Sequence, residues 1–169
     1  FPHRKRKRKR KQKLFDSTLG YPGEGPLTLI GWNMNGLLEP GKADALFHAA
    51  RTRQVALLFV QEHNHDRCRQ GRLNSTAKRY GYIACVSPIP SGDRKGGTAI
   101  FISRDLTGLT PYDVTYSSHL GGRVTIARAT LLGVPTRLAC VYAPAEPALR
   151  GVFARKLAAM HLITRDTIT

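Results

Sequence analysis

The strongest constraint on the fold is a continuous apolar run, VALLFV, which spans Val55–Val60 between polar neighbours. A short apolar run of this kind is typical of a β-strand that is buried on both faces of its sheet. Upstream, Leu27–Trp32 is apolar and favours a strand, and the apolar residues between 43 and 50 recur at helical spacing. The order strand, helix, strand predicts a βαβ-like unit.

The rest of the chain reads mostly as strands. Apolar and alternating segments predict four more strands, at 82–86, 98–102, 124–132 and 137–142. The last two are joined as a hairpin through a Gly-Val-Pro turn. A short helix is expected near 75–80, and an amphipathic helix begins at Pro147. This order predicts an α/β sandwich in which helices cover stacked sheets.

Residues 1–26 lack the features of a folded segment. Nine of the ten residues from 4 to 13 are basic, and like charges without an apolar face repel one another. A stretch rich in Gly and Pro follows, so we expect a disordered basic tail and linker at 1–26 and a folded domain at 27–169. The basic residues are a candidate import signal, phosphate-binding arm or both: Arg4, Lys5, Arg6, Lys7, Arg8, Lys9, Arg10, Lys11 and Lys13.

The charge of the whole chain limits its partners. It has 27 Lys and Arg against 11 Asp and Glu, a formal net charge of +16, which favours nucleic acid ahead of an acidic membrane surface. No membrane span is expected, because the longest apolar run has six residues and a span needs about 20. Three cysteines are too few for a disulfide framework. The chain begins at Phe1, so we expect a fragment or a processed piece.

Three polar residues stand at the ends of predicted strands: Asn33, Glu62 and Tyr142. A carboxylate beside a buried strand needs a cation or strong hydrogen bonds, and Mg²⁺ takes one or two carboxylates with phosphate and water. For Glu62 the alternative is a surface glutamate paired with an arginine. Asn33 and Asn35 can orient a phosphate or a metal ligand, or form a turn. Tyr142 can donate to a phosphate oxygen, or pack in the core.

Two other groups of residues are not assigned to the site. His63, His65 and Cys68 carry side chains that bind zinc in other proteins, but a fourth ligand is not evident in the sequence. Three basic residues lie in loops, where solvation is their usual role: Arg94, Lys95 and Arg123.

The order of the motifs is more specific than any one of them. A strand followed by Asn33–Leu37 and, after a helix, the segment Leu57–Glu62 resemble the endonuclease/exonuclease/phosphatase superfamily, and Gly96–Ile102 agrees with it. Gly122-Arg123-Val124 opening a strand, followed by Val141–Pro144, is most similar to the apurinic-endonuclease-like domain of non-LTR (LINE-type) retrotransposon proteins.

The resemblance implies a four-layered α/β sandwich and an endonuclease that nicks one DNA strand, leaving a 3′-hydroxyl for reverse transcription. Glu62 falls at the metal-binding glutamate and Asn35 near the metal, with Mg²⁺ or Mn²⁺ as cofactor. Asn33 and Tyr142 fall at the catalytic asparagine and tyrosine. The implied partners are DNA, element RNA as a further candidate, and other regions of a larger polyprotein, including a reverse transcriptase. No membrane partner is implied, and the implied location is nuclear.

The chain departs from this family at two motifs, Gly-Asp-x-Asn and Ser-Asp-His, which are both missing. After Tyr142 the only carboxylates are those of Glu146 and Asp166. We therefore expect an incomplete sandwich without its C-terminal half, inactive in cleavage and marginally stable, with exposed sheet edges. The alternatives are a nucleic-acid-binding remnant of a decayed element, and a phosphoesterase of the same superfamily for a small or lipid phosphoester. The basic charge favours DNA.

Overall fold

A computed structural model describes residues 15–20, 26–105, 113–131 and 133–162. The strands in these ranges are β1 (Phe15–Gly20), β2 (Pro26–Asn33), β3 (Leu57–Gln61), β4 (Tyr82–Ser87), β5 (Thr98–Ser103), β6 (Thr115–His119), β7 (Val124–Leu131) and β8 (Val134–Val141). The helices are α1 (Lys42–Thr52), α2 (Gln70–Arg79) and α3 (Pro147–Ala158). Among these described helices, none is long and apolar enough to cross a membrane.

The strands form two sheets. The first has the order β1-β2-β3-β5-β4, and the second has the order β6-β7-β8. In the first sheet β2 and β3 are parallel and α1 connects them, which is the predicted βαβ unit. Their register sets Leu29 opposite Leu57 and Asn33 opposite Gln61. The carboxyl ends of β2 and β3 therefore lie side by side.

Apolar clusters fill the space on both faces of the first sheet. On one face α1 and α2 pack onto it, and the ring centroids of Phe47 and Phe101 are 4.9 Å apart. On the other face Ile100 belongs to one cluster with Leu138 of the second sheet. The helix α3 covers the outer face of the second sheet through Phe153. The layers are helices, sheet, sheet and helix, which confirms the α/β sandwich expected from the sequence.

The apolar run that dominates the sequence takes the place predicted for it. Leu58 and Val60 of β3 pack with the helices, whereas Leu57 and Phe59 pack toward the second sheet. Alternate side chains of a strand point to opposite faces of its sheet, so a strand between two apolar layers needs an apolar residue at every position. The sheet sandwich therefore accounts for the absence of alternation in this segment.

One segment expected in the tail is part of the first sheet. Phe15–Gly20 forms β1 and pairs antiparallel with β2, so the expectation of a disordered segment over 1–26 does not hold for these residues. The physical reason is that the outer edge of β2 carries backbone N–H and C=O groups, which a neighbouring strand satisfies. The nine basic residues from Arg4 to Lys13 lie outside the described residues.

Two further elements differ from the sequence-based expectation. Thr115–His119 was not among the predicted strands, yet this mostly polar segment forms β6 through its pairing with β7. The helix α2 begins at Gln70 rather than near Ser75. A turn precedes the helix, in which the Asp66 carboxylate accepts a hydrogen bond from the backbone N–H of Arg69 at 2.9 Å.

A buried seam of hydroxyl groups, formed by Ser87, Thr98 and Thr125, joins the two sheets. The Oγ1 atom of Thr125 lies 2.7 Å from Ser87 Oγ and 2.8 Å from Thr98 Oγ1. Thr98 Oγ1 also donates to the carbonyl of Gly122 at 3.0 Å. The seam satisfies polar groups at the point where the sheets meet, so it fixes their relative position.

Gly122→Ala is expected to destabilise the fold by about 3 kcal/mol or more, because its Cβ would lie 2.1 Å from the carbonyl oxygen of Pro88 at a φ of +77°. The matched control is Gly133→Ala, which has a φ of +79° but no atom within 4 Å. It carries only the backbone strain, about 1 to 2 kcal/mol. Urea unfolding of both variants measures the difference, and equal losses would show that the close approach to Pro88 is unimportant.

Candidate active site

The ends of β2 and β3 bring Asn33 and Glu62 together. Asn33 is the last residue of β2, and Glu62 follows the last residue of β3. The amide Nδ2 of Asn33 donates a hydrogen bond to Glu62 Oε1 at 2.8 Å. Since the strands are parallel and in register, two residues 29 apart in the chain meet at one edge of the sheet. This contact orients the Glu62 carboxylate.

The backbone beyond these strands is held in a tight arrangement. The N–H of Gly36 donates to the carbonyl of Glu62 at 2.6 Å, and the N–H of Met34 donates to that of Gln61 at 2.9 Å. Glu62 has a φ of +56°, a left-handed conformation that is uncommon for a residue with a side chain. Strained backbone of this type is found most often at functional sites.

Asn35 lies in the turn that follows β2. Its φ is +48°, and its backbone N–H donates to Asn33 Oδ1 at 3.1 Å, which is the turn chemistry weighed as the alternative for this residue. Its side chain is exposed. The structure thus accounts for Asn35 through its backbone, and a role near a metal stays a prediction.

Tyr142 reaches the same place from the second sheet. It follows β8, and its backbone N–H donates to the carbonyl of Arg123 at 2.8 Å, which extends the pairing of β7 and β8 by one residue. Burial raises the pKa of the Tyr142 phenol, and the adjacent Glu62 carboxylate raises it further, whereas Arg123 lowers it. The phenol is therefore protonated at neutral pH and able to donate a hydrogen bond.

Arg123, which the sequence analysis set aside, lies beside the candidate site. Its guanidinium carbon lies 5.2 Å from the centroid of the Tyr142 ring, a cation–π distance. The signal in the sequence was the Gly122-Arg123 pair at the start of a strand. The structure thus brings together Asn33, Glu62 and Tyr142 and adds Arg123 to them.

The oxygen atoms at this site suit a cation that takes its remaining ligands from water and from a substrate. Glu62 supplies one carboxylate, and none of the ion pairs between described residues involves it, so the alternative of a Glu62–Arg surface pair is not found there. The described residues contain no group of three or more His, Cys, Asp or Glu side chains that would enclose a metal. Mg²⁺ tolerates such a site, because it retains waters and phosphate oxygens as ligands.

His63 and His65 have structural roles. His63 is fully buried; its Nδ1 accepts the backbone N–H of His65 at 3.0 Å, so its Nε2 donates to the carbonyl of Ser87 at 3.1 Å. His65 Nδ1 lies 2.9 Å from the carbonyl of His63, to which it donates. Cys68 is exposed. The two imidazoles hold the loop after β3 in place through these hydrogen bonds.

A cavity of about 400 Å³ lies between α1, α2 and the loop that follows β2. Its walls include Leu37 and Arg72, and none of the three residues predicted for catalysis lines it. The candidate site lies where the two sheets meet, and this cavity is separate from it.

Comparisons with known proteins identify the fold. No family model and no curated protein matches the sequence, but solved structures do. TDP2 from Caenorhabditis elegans matches with a TM-score of 0.55 at 18% identity, over 79% of this chain and 40% of that chain. AP endonuclease LMAP from Leishmania major matches with a TM-score of 0.56 at 19% identity, over 75% of this chain and 43% of that chain.

A third solved structure is the endonuclease domain of TRAS1, a telomere-specific non-LTR retrotransposon, with a TM-score of 0.53 at 15% identity, over 85% of this chain and 58% of that chain. The chain has the endonuclease/exonuclease/phosphatase fold. This confirms the fold expected from the motif order. The chain spans 40% to 58% of the length of these three solved chains.

We expect the fold to lose stability in mild acid because of His63. Burial and the neighbouring His65 lower the pKa of His63 from 6.5 to about 4, so between these values the unfolded chain binds a proton that the folded chain does not. The unfolding free energy should therefore decrease as the pH falls from 6.5 to 4, by about 3 kcal/mol at most. Urea unfolding at several pH values measures this.

Two variants separate His63 from other titrating groups. His63→Gln, which takes up no proton, should show a smaller decrease between pH 6.5 and 4. His48→Gln removes an exposed histidine and should leave the decrease unchanged. A decrease of the same size in the His63 variant would contradict this assignment.

Proposed function

We propose that this chain is the N-terminal part of a metal-dependent DNA endonuclease domain of the non-LTR retrotransposon type, which nicks target DNA to prime reverse transcription. The observation that carries the proposal is the hydrogen bond from Asn33 to Glu62, at 2.8 Å, beside Tyr142. These are the three residues that the family motifs assign to the active site, and they meet at one edge although the chain separates them widely.

DNA as the substrate class is supported by charge and by the similarity of the fold to solved nucleases. The formal net charge of +16 favours a polyanion over a small neutral ligand. The fold similarity to a solved AP endonuclease and to a retrotransposon endonuclease domain points the same way.

Each residue has a definable task in such a site. Asn33 donates to one oxygen of Glu62 and orients the carboxylate. Glu62 would hold Mg²⁺ or Mn²⁺, and the bound cation supplies positive charge that stabilises the negative charge developing on the phosphate. Tyr142, protonated at neutral pH, donates a hydrogen bond to a phosphate oxygen.

This set of residues lacks a base that would activate the attacking water. The described residues contain no cluster of acidic or histidine side chains around Glu62, and the Gly-Asp-x-Asn and Ser-Asp-His motifs are not present in the sequence. His63 does not serve as the base, because both of its ring nitrogens are engaged in buried hydrogen bonds. We therefore propose that this chain binds DNA and a cation without cleaving the DNA.

The same proposal implies the partners of the chain and its location in the cell. The partners would be target DNA, element RNA, and the other regions of a polyprotein that includes a reverse transcriptase. The site of action would be the nucleus, where the basic residues at 4–13 serve import, phosphate binding or both. This setting rests on the motif order and on the charge.

Glu62→Gln is expected to weaken cation binding by at least about tenfold, because it removes the carboxylate ligand while keeping the shape of the side chain. Mn²⁺ is a suitable probe, since it takes the same oxygen ligands as Mg²⁺ and broadens the NMR signals of nearby nuclei. In the unmodified chain we expect broadening of the Asn33 and Tyr142 amide signals at low Mn²⁺ concentration.

The matched control is Asp105→Asn, which removes a carboxylate at the opposite end of the first sheet. Strand β5 pairs Thr98 with Gln61 and Ile102 with Leu57. Asp105 follows the end of β5 that lies away from Gln61, so it is remote from Glu62. Asp105→Asn should leave the broadening at Asn33 and Tyr142 unchanged. If Glu62→Gln has no larger effect than Asp105→Asn, Glu62 is not the cation ligand and the proposed function fails.

The chain should not nick supercoiled plasmid DNA in the presence of Mg²⁺ or Mn²⁺, because no base for the attacking water is supplied. Gel electrophoresis of the plasmid after incubation measures this, with Glu62→Gln as the comparison. Nicking that disappears in Glu62→Gln would overturn the proposed inactivity and show that the residues present are sufficient for the reaction.

A further inference from the structure

We propose that Arg128 and Arg137 form a binding site for a phosphate group on the outer face of the second sheet, away from the candidate active site. The site lies in a cavity of about 460 Å³. Strands β6, β7 and β8 and the segment after α3 supply its walls, which include Thr115, Ser117, Arg128, Arg137 and Met160. The proposal goes beyond the proposed nuclease function and does not depend on it.

Strand register brings the two arginines together. Arg128 on β7 is opposite Arg137 on β8, and directly opposite residues have Cβ atoms about 5 Å apart on the same face of the sheet. Two like charges in this position repel each other, and no ion pair between described residues includes either of them. The pair therefore raises the free energy of the unliganded chain, and an anion between the guanidinium groups would offset this repulsion.

Arg137 also has a donor without an acceptor. Its Nη1 donates to the carbonyl of His161 at 3.3 Å, which holds the guanidinium in place. Its Nε is shielded from solvent and has no hydrogen-bond partner among the described residues. A shielded donor of this kind costs free energy, which an anionic acceptor offsets. Arg128 is exposed, so its side chain can rotate toward the same ligand.

Strand β6 adds uncharged donors to this face. Thr115 is opposite Arg128 and Ser117 is opposite Ile126, so their side chains share the face of the two arginines. Ser117 Oγ lies 2.8 Å from Nε2 of His119. When that nitrogen donates, the Ser117 hydroxyl is left to donate to a ligand. Two guanidinium groups with hydroxyl donors beside them match the oxygens of a phosphate, which accept several hydrogen bonds at once.

This site is on the other face of β7 from the candidate active site. Val124 and Ile126 pack against Phe153 of α3, and Arg128 continues along the same face. Arg123 precedes Val124 by one residue, so its side chain lies on the opposite face. Five residues of extended strand, about 17 Å, separate Arg123 from Arg128. A single phosphate therefore does not contact both of these arginines.

The dimensions of the cavity favour a phosphate that is attached to a larger group. Its volume of about 460 Å³ lies within the range of small-molecule sites. Ile126 and Met160 give it apolar walls, which can contact a non-polar group. A nucleotide has both parts, a phosphate and a planar base with apolar faces. The ligand class is therefore a nucleotide phosphate, either in a free nucleotide or in a nucleic-acid strand.

Arg128→Gln in the full chain tests the site, because it removes one guanidinium and leaves the hydrogen bond from Arg137 to His161 in place. The probes are inorganic phosphate, thymidine 5′-monophosphate and a single-stranded oligothymidylate of about ten nucleotides, at constant ionic strength with EDTA. NMR titration should shift the Nε–H signal of Arg137 and the amide signals of Thr115 and Ser117. Arg128→Gln should raise the Kd read from these signals by at least about tenfold.

The matched control is Arg53→Gln, which removes the same charge from an exposed position at the end of α1, on the far side of the first sheet. It should change this Kd by less than about twofold, because exposed charges at that distance are screened by salt. If Arg128→Gln does not fold, Arg128→Lys replaces it and should weaken binding while Arg53→Lys does not, since lysine lacks the planar fork.

A second readout separates a binding role of Arg128 from a structural one. Without phosphate, Arg128→Gln should need a higher urea concentration to unfold than the unmodified chain, because the repulsion from Arg137 is removed. Added phosphate should raise the urea midpoint less in Arg128→Gln than in the unmodified chain. An arginine that only supports the fold would give the opposite result without phosphate.

The three probes distinguish the source of the phosphate. Tighter binding of the oligothymidylate than of the monophosphate, measured at the Arg137 signal, would assign the site to a nucleic-acid strand. Equal or weaker binding of the oligothymidylate would assign it to a free nucleotide. Both results support a phosphate site at the two arginines.

The absence of shifts at Arg137 with all three probes, or an equal loss in Arg53→Gln, would overturn the assignment. Asp166, four residues after Leu162 in the sequence, is the alternative partner of the arginines. A response to phosphate that occurs only in Asp166→Asn would assign the arginines to an internal ion pair and likewise overturn the proposal. The assay contains no free divalent cation, so its result is independent of the cation experiment with Glu62→Gln.

Discussion

The hydrogen bond between Asn33 and Glu62 depends on two parallel strands that end at the same level. Parallel pairing requires a crossover, which α1 supplies, and the crossover is stable because Phe47 and its neighbours bury the apolar face of the helix. The carboxylate and the amide meet only if the register of β2 and β3 is correct. A shift of one residue would turn one of the two side chains to the opposite face of the sheet.

The second sheet contributes the other half of the site. Tyr142 and Arg123 are opposite each other across β7 and β8, so their contact is a result of strand register in the same way as that of Asn33 and Glu62. The hydroxyl seam of Ser87, Thr98 and Thr125 lies at the junction of the sheets. Side chains from the ends of four strands thus lie close together, because a buried polar junction holds their sheets in position.

The sequence predicts the parts of the fold that have a strong local pattern. The VALLFV run, the helical spacing of α1 and the hairpin of β7 and β8 all appear in the structure close to their expected positions. Strands β1 and β6 were missed because strand pairing, and not an apolar pattern, places them. The proximity of Asn33, Glu62 and Tyr142 could be anticipated because each stands at the end of an apolar strand, and their role in a site stays a prediction.

Arg123 was not predictable as a site residue for a physical reason. Its contact with Tyr142 depends on the register of two strands and on a residue 19 positions away, and a basic residue at the start of a strand has no local property that reveals such a partner. The positive φ of Glu62 and the deep burial of His63 were likewise not visible in the sequence. Each arises from tertiary packing.

Because the candidate site is divided between two sheets, the packing of the sheets also affects its dimensions. Gln61 Nε2 donates to the carbonyl of Val141 at 3.2 Å, and Cys140 Sγ lies 3.5 Å from the carbonyl of Val60. The thickness of the apolar layer between the sheets therefore sets the gap between a carboxylate on one side and a phenol on the other. Side-chain volume in this layer, at Leu57 or Leu138, therefore affects the distance between the two halves of the candidate site, although these leucines belong to the apolar core.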